Sequence, residues 1–293
     1  MQNVSKNKTF VFMVTHIITR GVVNEFKKLA MTSGFDTILL IDNSNKILKN
    51  LPLNTQIELE LFGNKINAFL FDKNIVNTIN LPQYSQNGKC TNFSDLMWYN
   101  ADYRFFMVRK YFQDYQFYWQ FDYDVFFNGA SYSKFFEKYN NSNIDLYISN
   151  INETIADSDW KWTKRTEWIY DKINLYSSFF PASRLSGKAI DFLYEKRLTH
   201  KKIFENSKTK NKRWINCELF VPTELINNDF KAERLNESLR FSPNYDLNED
   251  RLFEKPDNIL YHPIKGNYEE KIKKLSHFTI NFIGIKVKLK NTN

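Results

Sequence analysis

The sequence predicts an α/β fold in which a central, mostly parallel sheet is flanked by helices. A buried strand over 10–18, a helix over 22–30 and a second strand over 36–42 follow one another near the start of the chain. A strand, a helix and a strand within about 40 residues are typical of a βαβ unit, whose strands pair in parallel. The hydrophobic fraction of 42% indicates a packed core and excludes an intrinsically disordered chain.

The later elements follow from the spacing of apolar residues and from the residues that flank each run. One long helix is predicted over 95–112, behind Ser94 as its N-cap. A strand over 114–121 then runs directly into Asp122-Tyr-Asp124. The other predicted strands are 57–61, 68–71, 144–149, 176–180 and 259–261, and the other predicted helices are 131–139, 186–194, 218–226 and 268–275.

We expect one domain over 1–293, with a nucleotide half at about 1–130, an acceptor half at 131–270 and a basic tail at 271–293. The 41 Lys and Arg residues exceed the 33 Asp and Glu residues, and the net charge of +8 favours an anionic partner. Residues 196–213 hold eight Lys and Arg residues against Glu205 alone. We interpret this stretch as a basic insertion, either a solvated loop or a patch for an anionic acceptor or membrane.

Several classes of protein are excluded or disfavoured. No apolar run reaches the roughly 20 residues of a membrane helix. The run at 10–18 is interrupted by Thr15 and His16, and no signal-peptide cleavage site follows it. Two cysteines, Cys90 and Cys217, cannot form a disulfide framework. We therefore expect a cytoplasmic protein, with peripheral contact at the inner face of the membrane as an extension of this expectation.

Asp122 and Asp124 are the first candidates for chemistry, because they stand one residue apart at the end of a buried strand. Carboxylates are preferred ligands of Mg²⁺ and Mn²⁺, and a cation held there would also bind a nucleotide diphosphate. A second pair, Asp157 and Asp159, lies in a polar loop, and we interpret it as solvated. Unpaired carboxylates after an apolar run are costly, which favours the metal over a solvated turn at Asp122 and Asp124.

At these residues the chain resembles the nucleotide-sugar-dependent glycosyltransferases of the GT-A fold. The resemblance rests on the first strand and its loop, a second strand that ends at Asp42, and the Asp122-Tyr-Asp124 strand. Tyr261-His-Pro-Ile-Lys265 is similar to the family segment in which a histidine joins the metal shell and a lysine contacts the diphosphate. Asn216-Cys-Glu218 is similar to the place of an acidic acceptor-side residue, although the Glu-Asp pair of the inverting enzymes is absent.

The resemblance implies metal-dependent transfer of a sugar from a nucleotide diphosphate donor to a glycan or lipid-linked acceptor. The class it implies is bacterial surface-glycan synthesis, of polysaccharide or lipopolysaccharide. It also implies a site. The implied ligands of the cation are Asp122, Asp124 and His262, and imidazole favours Mn²⁺ over Mg²⁺. The implied donor contacts are Asp42, Asp122 and Lys265, and the implied general base is Glu218.

Each of these residues also has a simpler explanation. His262 before Pro263 suits a turn, Lys265 suits an exposed surface, Glu218 suits a helix N-terminus, and Asp42 suits a loop cap. Three tryptophans of the polar loop either stack on sugar rings or hold that loop against the core. These are Trp160, Trp162 and Trp168.

Two other functions stay open. A metal-dependent nucleotidyltransferase that makes an activated sugar would use similar carboxylates. It usually needs a glycine-rich, basic phosphate loop near the first strand, whereas residues 15–22 contain only one glycine, Gly21, and one basic residue, Arg20. A non-enzymatic, basic nucleic-acid-binding protein would suit the net charge. We expect no nucleic-acid partner, because the basic stretch at 196–213 is not interleaved with exposed aromatic residues.

Overall fold

The computed structural model describes residues 8–46, 48, 50–86, 88–90, 92–154, 159–170, 173–235, 239–241, 247, 249–264 and 288–289. The strands of this part of the chain are β1 Thr9–Thr15, β2 Asp36–Asp42, β3 Thr55–Leu61, β4 Asn64–Phe71, β5 Tyr84–Ser85, β6 Gly88–Lys89, β7 Phe117–Asp122, β8 Phe126–Asn128, β9 Leu146–Thr154, β10 Leu175–Ser186, β11 Ala232–Arg234, β12 Leu239–Phe241, β13 Ile259–His262 and β14 Lys288–Leu289. The helices are α1 Arg20–Thr32, α2 Ile75–Thr78, α3 Phe93–Tyr99, α4 Asp102–Tyr111, α5 Ser133–Phe136, α6 Gly187–Asn206 and α7 Cys217–Ile226, with a 3-10 helix over Glu249–Glu254.

By its internal contacts the chain divides into two compact units. The first unit comprises 9–72, 119–142 and 237–293, and the second comprises 1–8, 73–118 and 143–236. Each unit combines strands with helices, so the predicted α/β class is confirmed.

The first unit contains sheet strands in the order β7-β1-β2-β4-β3-β14, with β7 contributing Trp119–Asp122. β1, β2 and β4 are parallel, whereas β3 is antiparallel to β4 and β14 is antiparallel to β3. All seven residues of β1 are buried, as expected for a parallel strand that is covered on both faces. The parallel centre of this sheet agrees with the sequence-based prediction.

Helix α1 packs on β2 and β4 of this sheet. Thr19 is its N-cap, and the Thr19 hydroxyl oxygen accepts a hydrogen bond from the Val22 backbone N–H at 3.2 Å. The helix ends just before Gly34, whose φ of +77° lies in the left-handed region that glycine adopts without strain. Its buried apolar residues recur at helical spacing and are Val22, Val23, Phe26 and Leu29.

A smaller sheet in the first unit has the order β12-β13-β8. β13 is antiparallel to β8, with Tyr261 opposite Phe126, and parallel to β12. The sequence predicted β13 but neither of its partners, because strands of three residues carry little periodicity. An apolar cluster holds this sheet together and consists of Phe126, Leu247, Leu252, Tyr261 and Ile264.

In the second unit, β10 is antiparallel to β9, and β11 is parallel to β9. Helices α6 and α7 pack on β10 and on each other. The predicted strand over 176–180 is longer than expected and continues to Ser186. Ser186 is also the N-cap of α6, since its hydroxyl oxygen accepts a hydrogen bond from the Ala189 backbone N–H at 3.2 Å.

The long helix predicted over 95–112 is wrong, because the chain breaks it into α3 and α4 at Asn100. The backbone of Asn100 leaves the helical region, with φ −120° and ψ 60°. Its buried side chain donates hydrogen bonds to the carbonyl oxygens of Leu96 and Tyr84, and its Oδ1 accepts one from Trp214 Nε1 at 3.0 Å. Asparagine side chains compete with helical hydrogen bonds in this way, and here tertiary partners decide the outcome.

The prediction of a basic insertion over 196–213 is also wrong, because most of this stretch is helical. The helix expected to end at 194 continues to Asn206 as α6. Its buried face includes Leu193, Arg197, His200 and Phe204, which are three or four residues apart. The charged residues around them hid this pattern in the sequence. After α6, the Lys212 ammonium donates hydrogen bonds to the carbonyl oxygens of Phe204 and Ser207, where a cation stabilises the helix end.

Arg197 and Asp102 form an ion pair in which neither side chain is exposed. Arg197 Nε and Nη2 donate to the two carboxylate oxygens of Asp102 at 2.7 and 3.0 Å, and Arg197 Nη1 donates to the Ile215 carbonyl at 2.8 Å. The guanidinium also lies 3.7 Å from the centre of the Phe220 ring. These contacts join α4, α6 and the segment before α7.

A second buried polar cluster joins α6 to α7. Glu224 contacts His200 Nε2 at 3.1 Å and Lys196 Nζ at 3.3 Å, and it accepts a hydrogen bond from the Tyr170 hydroxyl at 2.8 Å. Burial lowers the pKa of His200 below its usual value, against the opposing effect of Glu224. Burial alone would raise the pKa of Glu224, but the hydrogen bonds from His200 and Tyr170 and the Lys196 charge bring it below its usual value. At neutral pH the cluster therefore holds a neutral imidazole and a carboxylate.

The remaining boundaries differ by a few residues. β7 begins at Phe117 rather than 114, β9 is Leu146–Thr154 rather than 144–149, and only Ser133–Phe136 is helical within 131–139. The helix predicted over 268–275 lies outside the described residues, as does the tail over 271–293 apart from β14. Within the described ranges, no helix has both the length and the hydrophobicity that crossing a bilayer would need.

Candidate functional site

In the first unit, the carboxyl ends of the parallel strands form one edge of the sheet. Thr15 ends β1 opposite Ile41 of β2, and Asp42 ends β2 opposite Phe71 of β4. Ligands of open α/β sheets bind at such edges. Asp42 is buried with 8% exposed, and its Oδ1 accepts a hydrogen bond from the Ser44 backbone N–H at 2.9 Å. This bond is a loop cap, which is the simpler explanation that the sequence offered for Asp42.

The Asp122-Tyr-Asp124 segment reaches the same edge. The ring of Tyr123, which follows β7, packs edge-on against the ring of His16, which follows β1, with centroids 4.8 Å apart. Asp122 is the last residue of β7 and is half-buried. Its carbonyl oxygen accepts a hydrogen bond from the Val125 N–H at 3.0 Å, which closes a turn over Tyr123 and Asp124. The metal pair predicted from sequence therefore lies at a strand end, as expected.

His262 contacts Asp124. The pairing of β13 with β8 places Tyr261 opposite Phe126, and the Ile264 N–H donates to the Asp124 carbonyl at 2.9 Å. As a result His262 Nε2 lies 3.4 Å from Asp124 Oδ1, with side-chain exposures of 14% and 18%. This distance is longer than the 2.7–3.2 Å of an ordinary N–H···O hydrogen bond.

The pair fits a divalent cation in spacing and in ligand type. Neighbouring ligands of an octahedral ion with bonds of about 2.1 Å lie about 3 Å apart. A carboxylate oxygen and an imidazole nitrogen together suit Mn²⁺ better than Mg²⁺. Among the residues that the structure describes, no three His, Cys, Asp or Glu side chains converge as a metal site, so Asp122 does not complete a set with Asp124 and His262. A cation at this pair would take its other ligands from phosphate oxygens and water.

Two of the predicted site residues have other outcomes. Lys265 lies outside the described residues. Glu218 lies in the first turn of α7 and is half-buried, and the N-cap of this helix is Asn216, whose side chain accepts a hydrogen bond from the Glu218 N–H at 2.8 Å. The Glu218 carboxylate accepts a hydrogen bond from Trp162 Nε1 at 3.0 Å. The indole holds the carboxylate in place while part of Glu218 faces solvent.

The predicted tryptophan loop packs mainly against the core of the second unit. Trp162 is only 3% exposed, and its ring contacts that of Tyr99 at 5.3 Å. Trp168 stacks on Trp214 and donates a hydrogen bond to the Arg213 carbonyl at 2.8 Å. For these two residues the structure supports the loop-holding alternative over sugar stacking.

An exposed tryptophan elsewhere escaped the sequence interpretation. Trp98 is 59% exposed on α3, where the buried residues of the helix are Phe93, Leu96, Met97 and Tyr99. The signal was present, because Trp98 falls off the apolar face that these residues define. Asp159 of the second Asp-x-Asp is exposed, as expected, and Asp157 lies outside the described residues.

Comparison with known proteins gives structural likenesses only. No protein-family model matches the chain, and no curated protein matches it in sequence. The solved structures similar to it include mouse xyloside xylosyltransferase 1 in its apo form, at 14% identity and a TM-score of 0.47 over 87% of this chain and 97% of that one. A glycosyltransferase involved in glycosylation of the major capsid of PBCV-1 is similar at 9% identity and a TM-score of 0.42, over 89% and 97%. Both are glycosyltransferases, and neither likeness is close enough to assign an activity to this chain.

Proposed function

We propose that the protein is a metal-dependent glycosyltransferase that moves a sugar from a nucleotide diphosphate donor to a glycan or lipid-linked acceptor. The observation that carries the proposal is the contact of Asp124 with His262 beside the sheet edge where β1, β2 and β7 end. Nucleotides bind at such edges, and this one offers a carboxylate and an imidazole at a spacing that suits a cation. A GT-A-like architecture agrees with the parallel centre of the sheet.

We assign the donor to residues of the first unit. Asp124 and His262 would hold the divalent cation, Mn²⁺ rather than Mg²⁺, and Asp122 would lie near the cation and the donor ribose. Asp42 would accept a hydrogen bond from the nucleoside through Oδ2, since Oδ1 already serves Ser44. Lys265 would contact the diphosphate, as the resemblance implies. When bound, the cation supplies a Lewis acid that offsets the negative charge of the departing diphosphate.

Transfer forms a bond between an acceptor oxygen and the anomeric carbon of the sugar. The bond from that carbon to the diphosphate oxygen breaks, and its electron pair leaves with the diphosphate. The acceptor hydroxyl also gives up a proton, and we assign Glu218 as the base that takes it. The hydrogen bond from Trp162 Nε1 fixes one carboxylate oxygen of Glu218, which orients the group for this role.

We also infer peripheral contact with an anionic membrane on the cytoplasmic side, in bacterial surface-glycan synthesis. Lys202, Lys208 and Lys210, at the end of α6 and just after it, have exposed side chains. Arg197 and Lys212 do not contribute to such a patch, because one is buried against Asp102 and the other bonds the end of α6. The exposed lysines would attract anionic lipid headgroups or a lipid-linked acceptor.

Thermal unfolding with a donor panel tests the proposed function. UDP-, GDP- and dTDP-sugars are added with Mn²⁺ or with excess chelator. A ligand that binds only the folded state stabilises it by about 2.7 kcal/mol at 100 times its Kd. We expect one nucleotide class to raise the melting temperature with Mn²⁺ and not with chelator, and Mn²⁺ to support slow hydrolysis of that sugar nucleotide. A panel without effect, or a stabilising oligonucleotide in its place, would contradict the proposal.

A further inference from the structure

Trp98 presents an indole ring to solvent from a helix whose other apolar residues are buried. The side chain is 59% exposed. A single exposed apolar residue is common on protein surfaces and needs no ligand to explain it. A ligand at Trp98 is therefore inferred only from the side chains that contact it.

The ring of Trp98 lies against two side chains of the 159–170 segment. Its centroid is 5.9 Å from that of Trp162, at an interplanar angle of 63°. The Lys161 ammonium lies 4.1 Å from the centre of the Trp162 ring and 5.9 Å from that of Trp98, so it contacts both indoles. An edge-to-face pair and a cation beside it hold aromatic rings in a defined orientation.

The buried indole of Trp162 also connects this exposed ring to Glu218. Trp162 packs against Trp98 on one side and donates its N–H to Glu218 Oε2 at 3.0 Å. The N-cap bond from Glu218 to Asn216 and the bond from the Ser178 hydroxyl to the Glu218 carbonyl fix the backbone there. An exposed aromatic face and a half-buried carboxylate therefore occupy one continuous cluster of the second unit.

We propose that Trp98, Lys161 and Glu218 form a saccharide-binding subsite in which a sugar ring stacks on Trp98. A sugar ring presents C–H groups on its face and hydroxyls at its rim. Trp98 offers an apolar face, and the ammonium and the carboxylate offer a donor and an acceptor for hydroxyls. The inference rests on the proposed sugar transfer, and it names a sugar ring as the part of the acceptor that the protein recognises.

Two other occupants of this surface fit less well. A lipid chain would bring hydrocarbon against the Lys161 ammonium and the Glu218 carboxylate, which would lose water without gaining a partner. A stable protein partner needs about 800 Å² of surface on each side, far more than one indole provides. The mixture of one aromatic ring with two charged groups suits a small, hydroxyl-rich ring.

Saturation-transfer-difference NMR with named sugars tests the proposal. The probes are the methyl glycosides of glucose, galactose, xylose, mannose and N-acetylglucosamine, together with maltose, cellobiose, lactose and chitobiose. We expect at least one probe to bind the wild-type protein and Trp98→Ala to weaken that binding about tenfold or more, with partial recovery in Trp98→Phe. Phe253→Ala is the matched control, because Phe253 is an aromatic residue that is 78% exposed in the first unit.

The outcomes separate this proposal from the proposed function. Binding of no probe, or equal binding by wild type and Trp98→Ala, overturns the saccharide subsite. An equal loss in Phe253→Ala also overturns it, since the effect would then not belong to Trp98. Trp98→Ala should keep the Mn²⁺-dependent stabilisation by a sugar nucleotide, and Asp124→Asn should keep saccharide binding. If no sugar nucleotide binds while a sugar still binds through Trp98, the transferase proposal fails and the subsite stands.

Discussion

The ion pair of Arg197 with Asp102 shows that a residue of the basic stretch 196–213 can belong to the core instead of the surface. The guanidinium occupies the core with no exposed surface, and two carboxylate oxygens and one carbonyl accept its hydrogen bonds. Removing one partner of a buried ion pair leaves an uncompensated charge, which costs about 3–5 kcal/mol. Replacing both partners costs less than the two single changes together, because no charge is left alone.

We therefore expect Arg197→Leu to lower the free energy of unfolding by about 3–5 kcal/mol, measured by urea denaturation. Arg251→Leu is the matched control, because Arg251 pairs with Glu254 at 3.3 Å on the surface, and it should change stability by no more than about 0.5 kcal/mol. The double variant Arg197→Leu/Asp102→Leu should lose less free energy of unfolding than the two single variants lose in sum. Strict additivity would show that the pair is not coupled.

At the residue scale, the sequence identified polar groups better than it identified their partners. Asp122 and Asp124 stood out because they follow an apolar run, and the structure does place them at a strand end. The neighbourhood of Asp124 and His262 was expected only from the family resemblance, since no spacing in the sequence brings 124 beside 262. Trp162 was a candidate for sugar stacking because it lies in the polar loop, but its ring is buried, whereas the Trp98 ring, which the sequence interpretation missed, is exposed.

At the scale of elements, helices α6 and α7 are joined by a buried contact between a histidine and a glutamate. His200 Nε2 faces the Glu224 carboxylate, and Tyr170 and Lys196 contact the same carboxylate. The other imidazole nitrogen, Nδ1, is buried and has no hydrogen-bond partner among the described residues. Protonation would place a charge and an unsatisfied N–H in this apolar surround, which includes the Trp168 and Phe220 rings. This agrees with the lowered pKa of His200.

The sign of the pH dependence follows from that direction. A histidine with a lowered pKa in the folded state takes up its proton first in the unfolded state, so stability is full above about pH 6.5 and falls below it. One proton contributes at most about 1.4 kcal/mol per pH unit. The variant His200→Gln keeps a hydrogen-bond donor for Glu224 and does not titrate. We therefore expect its free energy of unfolding to change less between pH 7 and pH 5 than that of the wild-type protein. An unchanged slope would show that other groups cause the acid sensitivity.

Elements with local signals were predictable, and elements defined by distant partners were not. The βαβ start of the chain and the β3 and β4 strands follow from apolar periodicity. The break between α3 and α4 depends on Trp214 and Tyr84, which are far from Asn100 in the sequence. The length of α6 depends on the burial of Arg197, which a charge count treats as solvated. β8, β11 and β12 have only three residues each, and they are strands because they pair with segments that are distant in the sequence.

At the scale of the whole molecule, part of the positive charge of residues 196–213 is paired with buried carboxylates of the fold and is not free at the surface. At least three of the eight basic residues in 196–213 serve the fold: Arg197 in the core, Lys196 against Glu224, and Lys212 at the end of α6. If the exposed lysines at the end of α6 still contact an anionic membrane, each contributes on the order of 1 kcal/mol.

A triple variant tests this membrane contact. Replacing Lys202, Lys208 and Lys210 with Gln should weaken binding to phosphatidylserine-containing vesicles by about 100-fold at low salt, measured by co-sedimentation. A control that removes the same charge from exposed positions elsewhere should lose much less. Equal losses in the two variants would show that binding depends only on the net charge of the protein. No loss in either variant would contradict the proposed membrane contact. The control positions are Lys65, Lys73 and Lys138.

The central claim is that Asp124 and His262 hold a divalent cation that binds a nucleoside diphosphate. Titration of Mn²⁺ followed by electron paramagnetic resonance, with UDP or GDP present, measures that cation directly and needs no acceptor. We expect wild-type protein to bind about one Mn²⁺, Asp124→Asn to weaken binding about 100-fold, and His262→Ala to weaken it about tenfold or more. Asp159→Asn, which removes an exposed carboxylate from the second Asp-x-Asp, should match wild type. Mn²⁺ binding by Asp124→Asn that equals wild type would contradict the account.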